Sequence, residues 1–227
     1  MKPSAYEELI SIFDVLETDL PRFIDGKQAI NSMKDEGSRN WRQMEWIGFW
    51  FEHFVEKQVV PKLGGSRGPT YGTTEFDLKK QFVWDLKAHP RESKSLILND
   101  QEAIQECISV ESGLGFIVVS GDAEYDDSTQ AFKKWHDSIK GGVSNYEMDR
   151  IGRGAPSRRR KISFSPKSLH AIWFSNLTDL QEAVIQGWLK SFQTNMRNSN
   201  GKPRPSKYQL ELHAVPQKFL IAESKLN

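Results

Sequence analysis

The chain has 227 residues, of which 37% are hydrophobic, and contains a single cysteine, Cys107. This length and composition predict one folded domain over residues 1–227 and argue against intrinsic disorder. A lone cysteine excludes an internal disulfide and a cysteine-rich zinc site, and we expect it in the core. The N-terminal sequence MKPSAYEEL does not resemble a secretory signal, and no stretch has the roughly 18 apolar residues of a membrane span. We therefore expect a cytoplasmic protein without membrane segments.

The net charge of +1 hides an uneven distribution of charge along the chain. Residues 1–149 contain 17 Lys and Arg against 26 Asp and Glu, whereas residues 150–207 contain 12 against 2. Because each phosphate neutralised by Lys or Arg releases counterions, a concentrated basic segment favours a polyanionic partner. A solvated basic face without a ligand is the alternative.

The hydrophobic pattern predicts helices in the first 63 residues. An amphipathic helix is expected over residues 4–23, ending near Pro21, and a short helix over Gln28–Lys34. A longer helix is expected between Asn40 and Leu63, with apolar residues spaced three and four apart. We expect this helix to pack beneath the following hairpin. A glycine-rich connection follows at residues 64–72, but it lacks the Lys and Ser/Thr of a phosphate-binding loop and so does not indicate a nucleotide triphosphatase.

The segment after this connection predicts a β-hairpin. Two runs rich in β-branched and aromatic residues, Thr73–Leu78 and Phe82–Ala88, flank the polar residues 79–81. Alternate side chains of a strand share a face, so Asp85 and Lys87 lie on the same side. A three-residue turn would bring Asp77 to that side, whereas a two-residue turn would separate it from them.

The pattern after the hairpin indicates a crossover to a further strand. Asp100 is a plausible N-cap for a helix over Gln101–Val110, and a strand is expected at Gly115–Val119. A strand, helix and strand in this order require a long connection of the kind that joins parallel strands, so the hairpin and crossover predict an α/β fold with a mixed sheet flanked by helices. Three further elements are expected: a helix over 128–140 capped by the acidic loop before it, a helix over 179–192, and one or two strands in 208–221. The five histidines are scattered and indicate neither a zinc site nor a Ser/His/Asp hydrolase.

The basic segment supplies the candidate contacts to nucleic acid. One cluster precedes a predicted strand, and a second lies in a polar loop punctuated by glycine and proline. An arginine can read guanine through a bidentate pair of hydrogen bonds, or it can hold backbone phosphates. A mobile surface loop is the alternative for the second cluster. The candidate residues are Arg158, Arg159, Arg160, Lys161, Arg197, Asn198, Lys202, Arg204 and Lys207.

Two carboxylates and a lysine on one face of a hairpin lose hydration when that face is buried. Other interactions must offset the free-energy cost of this desolvation. Mg²⁺ is a suitable partner, because it accepts one or two carboxylates together with waters and phosphate oxygens. An ammonium group beside the metal can hold a phosphate oxygen or, with a lowered pKa, help to deprotonate an attacking water. An exposed hairpin with its charges in solvent is the alternative.

The positions Asp77 and Asp85-Leu86-Lys87 resemble the motif of the PD-(D/E)xK nucleases, which include most type II restriction endonucleases. The resemblance covers about residues 48–120 and implies the restriction-endonuclease-like mixed sheet, with Asp77 and Asp85 as Mg²⁺ ligands and Lys87 positioning or activating the water. Phe76 stands where the motif has proline, and Glu75 is a rival for the first ligand.

The wider superfamily also has a glutamate on a helix before the hairpin. The pattern Gly48-x-x-x-Glu52 resembles that helix and favours Glu52 over Glu45 and Glu56. An exposed acidic flank of the helix is the alternative.

Together with the resemblance, these observations predict a type II restriction endonuclease that hydrolyses double-stranded DNA at a short site with Mg²⁺, and the resemblance implies that it leaves a 5′-phosphate. The catalytic core would span about residues 40–120, with Glu52, Asp77, Asp85 and Lys87 as its catalytic residues, and the basic recognition portion about residues 150–207. A homodimer is expected, because two antiparallel strands must be cut with one site per chain. The family resemblance also implies a cognate DNA methyltransferase in the cell, without a stable complex. A repair or junction-resolving nuclease and a non-cleaving DNA-binding protein are the alternatives.

Overall fold

The computed structural model describes residues 4–126, 128–143, 145–155, 159–197 and 201–226. The helices are α1 Ala5–Asp19, α2 Gly26–Asp35, α3 Trp46–Phe54, α4 Val60–Leu63, α5 Gln101–Val110, α6 Ala131–Ile139, α7 Asn145–Gly152 and α8 Leu177–Ile185. The strands are β1 Ile24–Asp25, β2 Thr70–Tyr71, β3 Thr74–Glu75, β4 Leu78–Lys79, β5 Val83–Pro90, β6 Leu96–Asp100, β7 Leu114–Tyr125, β8 Lys161–Phe174, β9 Leu189–Phe192, β10 Lys207–Leu210 and β11 Leu220–Lys225.

The first helix begins and ends where its sequence signals lie. The hydroxyl of Ser4 accepts a hydrogen bond from the backbone N–H of Glu7, and the Glu7 carboxylate accepts one from Ser4 N–H, which is a capping box. The helix ends at Asp19, before Pro21. Its apolar stripe, which includes Leu9, Ile12 and Leu16, is fully buried.

The helical segment before the hairpin starts later than the sequence pattern predicts. Residues 39–42 form a short 3₁₀ turn, and the continuous helical segment runs from Trp46 to Leu63. Between α3 and α4 it passes through a π-helical turn, Val55–Val59. Such turns widen a helix locally and are frequent at functional sites.

The central sheet has the strand order β1, β8, β7, β5, β4, and β11 also pairs with β8. β5 and β7 are parallel, whereas the other neighbours are antiparallel. The parallel pair is joined by the predicted crossover, which contains α5 within its expected bounds. The predicted fold class, a mixed sheet flanked by helices, is therefore confirmed.

A second, antiparallel sheet has the order β6, β10, β9, and β6 was not predicted. The helix expected over 179–192 is wrong in its second half. Helix α8 ends at Ile185, because Gly187 adopts a left-handed conformation with φ +82°, and the chain then continues as β9. The expected closing strands correspond to β10 and β11.

The central sheet carries a separate hydrophobic core on each face. Trp84 and Leu86 of β5 point toward α1, α2 and α3, whereas Phe116 and Val118 of β7 point toward α5, α8 and the second sheet. Cys107 is buried in the second core, as expected. No helix within the described ranges is long and apolar enough to cross a membrane.

Candidate active site

The turn between β4 and β5 sets the geometry of the site. The register pairs Leu78 with Trp84 and Lys79 with Val83, which leaves the three residues 80–82 as the connection. This is the turn length that brings Asp77 to the side of Asp85. The Leu86 backbone N–H donates a hydrogen bond of 2.7 Å to Asp77 Oδ2 and fixes that carboxylate beside β5.

A buried glutamate of α1 holds this turn. Glu8 is 5% exposed and accepts hydrogen bonds from Gln81 N (2.9 Å), Phe82 N (3.3 Å) and Trp84 Nε1 (2.9 Å). Sequence analysis assigned no site role to this helix. Because one carboxylate satisfies three donors of the turn, Glu8 stabilises the register on which the position of Asp77 depends.

Asp85, Lys87 and Asn99 form a connected polar group on one face of β5. Asp85 is 1% exposed and forms an ion pair with Lys87 Nζ. The side-chain amide of Asn99 donates to Asp85 Oδ1 (2.7 Å), and its oxygen accepts from Lys87 Nζ (3.1 Å). Asn99 was not predicted as a site residue, because strand β6 was not predicted. The alternation of the apolar Leu96 and Leu98 is the sequence signal that indicates this strand.

Glu52 of α3 reaches the same cavity from the other side. The cavity has a volume of about 670 Å³, and Glu52, Asp77, Asp85, Lys87 and Asn99 all line it. The structure thus brings together the four residues selected from the sequence as catalytic.

The rival acidic residues occupy different positions. Glu45 forms an ion pair of 2.5 Å with Lys161 at the start of α3. Glu56 and Glu75 line the cavity, but their side chains are 49% and 52% exposed and both lie near Arg67, at 3.4 and 3.5 Å. Of these three glutamates, none is held beside β5 as Asp77 is.

The charges in the cavity perturb one another. Burial, with a further contribution from the Asp85 charge, raises the pKa of Glu52 to about 7, although the Lys87 charge opposes this rise. Burial and the charges of Asp85 and Glu52 raise the pKa of Asp77 well above its usual range. Burial by itself would lower the pKa of Lys87, but the carboxylates of Asp85 and Asp77 outweigh it and raise that pKa. Three carboxyl groups thus share one lysine, and burial together with their mutual repulsion opposes the ionisation of Glu52 and Asp77.

The donor set fits a hard divalent cation that completes its shell from outside the protein. Apart from its ion pair with Lys87, the buried Asp85 Oδ2 has no hydrogen-bond partner among the described residues. Within those residues, no group of three or more His, Cys, Asp or Glu side chains is placed to hold a metal. Mg²⁺ does not need such a group, because it commonly uses one or two carboxylates with waters and phosphate oxygens.

The first basic cluster, at positions 158–161, is less exposed to solvent than residues that contact DNA should be. Arg158 lies outside the described residues. The Arg159 guanidinium is exposed and lies 4.0 Å from the centre of the Tyr125 ring. Arg160 is only 7% exposed, and Lys161 is 12% exposed and paired with Glu45. Arg160 and Lys161 are both packed where β8 begins, and their contact with DNA stays a prediction.

The second basic cluster is divided between a surface loop and the cavity wall. Arg197 and Lys202 are exposed, Arg204 is partly buried, and Asn198 lies outside the described residues. Lys207 begins β10 and lines the cavity, where its Nζ lies 2.8 Å from Asp100 Oδ1. The structure thus brings one predicted DNA contact to the candidate active site.

Comparison with known proteins gives little beyond this geometry. No family model matches the chain, and no curated protein matches it. Among solved structures, the chain is similar to the restriction endonuclease BglI bound to its DNA recognition sequence. The identity is 8% and the TM-score 0.43, with 98% of this chain and 88% of that chain covered. At so low a TM-score the function has to be argued from the residues of the site.

Proposed function

We propose that this protein is a Mg²⁺-dependent nuclease that hydrolyses phosphodiester bonds in double-stranded DNA. The observation that supports it is the convergence of Glu52, Asp77, Asp85 and Lys87 on one cavity at the edge of a mixed sheet. The chemistry of this group suits phosphodiester hydrolysis, because paired carboxylates and an ammonium can manage the charge of a phosphate. More specifically, we propose a type II restriction endonuclease of the PD-(D/E)xK class.

Each residue has a role that follows from its contacts. Asp77 and Asp85 would hold the cation, which when bound supplies a Lewis acid for the phosphate and lowers the pKa of water. Lys87, protonated and 17% exposed, would donate to a phosphate oxygen and orient the attacking water. Glu52, whose pKa is about 7, can exchange a proton near neutral pH and would orient the same water.

The DNA backbone would be held by lysine and arginine residues, of which Lys207 lines the cavity wall. Lys207 would contact a phosphate near the scissile bond. Arg159, Arg197, Lys202 and Arg204 would contact the duplex further away. Arg160 and Lys161 would support these contacts from the base of β8, since both are largely buried.

The homodimer in this proposal rests on the need to cut both strands of a duplex, whereas the 5′-phosphate product and the methyltransferase rest on the family resemblance. A protein with one such site per chain needs a second copy to cut both strands, so we propose a homodimer acting on a symmetric site with cleavage to a 5′-phosphate. A cellular methyltransferase that protects the same site, without a stable complex, belongs to this proposal.

Digestion of phage DNA tests the proposed function. Incubation with Mg²⁺ should give discrete fragments, and EDTA or the change Asp85→Ala should abolish them. Mapping of the fragment ends then gives the recognition site. Preference for branched or damaged duplex would favour a repair or junction-resolving nuclease, and binding without Mg²⁺-dependent cleavage would favour a DNA-binding protein.

A further inference from the structure

Asn99 contacts two charged residues of the proposed metal site, Asp85 and Lys87, from a different sheet. It lies in β6, and its side-chain amide forms one hydrogen bond with Asp85 and another with Lys87, of 2.7 and 3.1 Å. The two partners fix its orientation. A carboxylate only accepts hydrogen bonds and an ammonium only donates them, so the amide nitrogen must face Asp85 and the oxygen must face Lys87.

The hydrogen bond to Asp85 determines which carboxylate oxygen is available. Asn99 occupies Oδ1, whereas Oδ2 has no described hydrogen-bond partner apart from the Lys87 ion pair. A carboxylate that is anchored through one oxygen presents the other in a fixed direction. Such partners of metal-binding groups commonly change metal affinity or activity by about 10- to 100-fold when removed.

The hydrogen bond to Lys87 gives the ammonium a second anchor. When Asp85 binds a cation, its carboxylate is shared between the cation and the Lys87 ammonium group. The Asn99 oxygen remains available, so Lys87 need not leave the cavity. This second anchor is neutral and does not compete for the cation as a further carboxylate would.

The backbone of Asn99 lies at a β-bulge between two paired positions of β6, where the register with β10 shifts. Its neighbours Asp100 and Ile97 pair with Lys207 and Gln209 of β10. The amide therefore extends from a fixed strand and not from a free loop, which is the condition for precise orientation of a neighbouring group.

We propose that Asn99 is a positioning residue that orients Asp85 toward a divalent cation and retains Lys87 in the cavity. The proposal rests on the proposed nuclease function. It adds a residue to the site from the second sheet, outside the sequence motif.

Two substitutions of different size separate hydrogen bonding from packing. Asn99→Leu keeps the number and branching of the side-chain heavy atoms, with a larger volume, and removes both hydrogen bonds, whereas Asn99→Ala removes most of the side chain as well. The matched control is Gln209→Leu. It removes the amide hydrogen bond of 2.6 Å from Gln209 to Ser95 in the same sheet but outside the cavity lining. Circular dichroism and thermal unfolding without metal check that each variant folds.

Titration calorimetry with Mg²⁺ alone, without DNA, is the first measurement. Both Asn99 variants should bind Mg²⁺ about 10-fold more weakly than wild type, to a similar degree, while Gln209→Leu binds it normally. Steady-state cleavage is the second measurement. Both Asn99 variants should lose kcat at saturating Mg²⁺ while KM for DNA stays close to wild type.

The outcomes separate this proposal from the nuclease function. Wild-type affinity for Mg²⁺ in Asn99→Leu would overturn the positioning role, and so would an equal loss in Gln209→Leu. If wild type binds Mg²⁺ but cleaves no DNA, the nuclease proposal fails. The Mg²⁺ affinities of the Asn99 variants then still test the positioning role of Asn99. If wild type binds no Mg²⁺, both proposals fail.

Discussion

Replacement of Glu52 by glutamine should stabilise the metal-free protein, and the gain should depend on pH. Burial and the Asp85 charge raise the pKa of Glu52 from 4.5 to about 7 in the folded protein. At pH values between 4.5 and about 7, Glu52 keeps its proton in the folded state and has lost it in the unfolded state. Stability from this group is therefore fully present below pH 4.5 and is lost as pH rises through 7.

The magnitude follows from the size of the shift. One pKa unit corresponds to about 1.4 kcal/mol, so the raised pKa of Glu52 should lower the free energy of unfolding by about 1 kcal/mol at pH 5 and by about 3 kcal/mol at pH 8. Glutamine is nearly isosteric with glutamate and carries no charge. The change Glu52→Gln should recover about these amounts, which is the stability gain often seen when an active-site charge is removed.

Urea unfolding in EDTA at pH 5 and at pH 8 measures both values. The control is Glu56→Gln, one helical turn further along, because the Glu56 side chain is 49% exposed. An exposed substitution of this kind should change stability by about 0.5 kcal/mol or less. The reasoning is refuted if Glu52→Gln gains as much at pH 5 as at pH 8, or no more than the control at pH 8.

Three further predictions concern the metal site, the turn and the cavity wall. Asp85→Ala should abolish Mg²⁺-dependent cleavage and leave DNA binding detectable in gel-shift assays, whereas cleavage near the wild-type rate would contradict the site. Glu8→Ala should lower the free energy of unfolding by about 2 to 4 kcal/mol in urea titrations. Two backbone donors of the β4–β5 turn and Trp84 Nε1 of β5 would lose their acceptor. An unchanged free energy of unfolding would mean that water replaces the carboxylate. Lys207→Ala should weaken duplex binding and reduce the salt slope of log K by about one unit, measured by fluorescence anisotropy. The control Lys218→Ala removes a lysine that is 53% exposed and paired with Glu182, and it should leave the slope unchanged.

The sequence by itself determined the features that depend on local periodicity and end signals. The apolar periodicity placed α1 within residues 4–23, and the helix expected over Gln101–Val110 has the bounds of α5. Alternation along β5 placed Asp85 and Lys87 on one face. These relations hold within short stretches of chain, so the residues alone specify them.

Tertiary structure decided which residues meet from distant parts of the chain. Glu45, Glu52 and Glu56 recur along one helical segment. The packing of α3 against β5 brings Glu52 close to the charges of Asp85 and Lys87, whereas Glu56 lines the cavity with its side chain half exposed. The three-residue turn held by Glu8 puts Asp77 beside Asp85. The second sheet brings Asn99 and Lys207 to the same place, and the packing at the start of β8 buries Arg160. A periodic pattern shows which side of an element is buried but not which element lies opposite. That choice is made by non-local strand pairing and core packing.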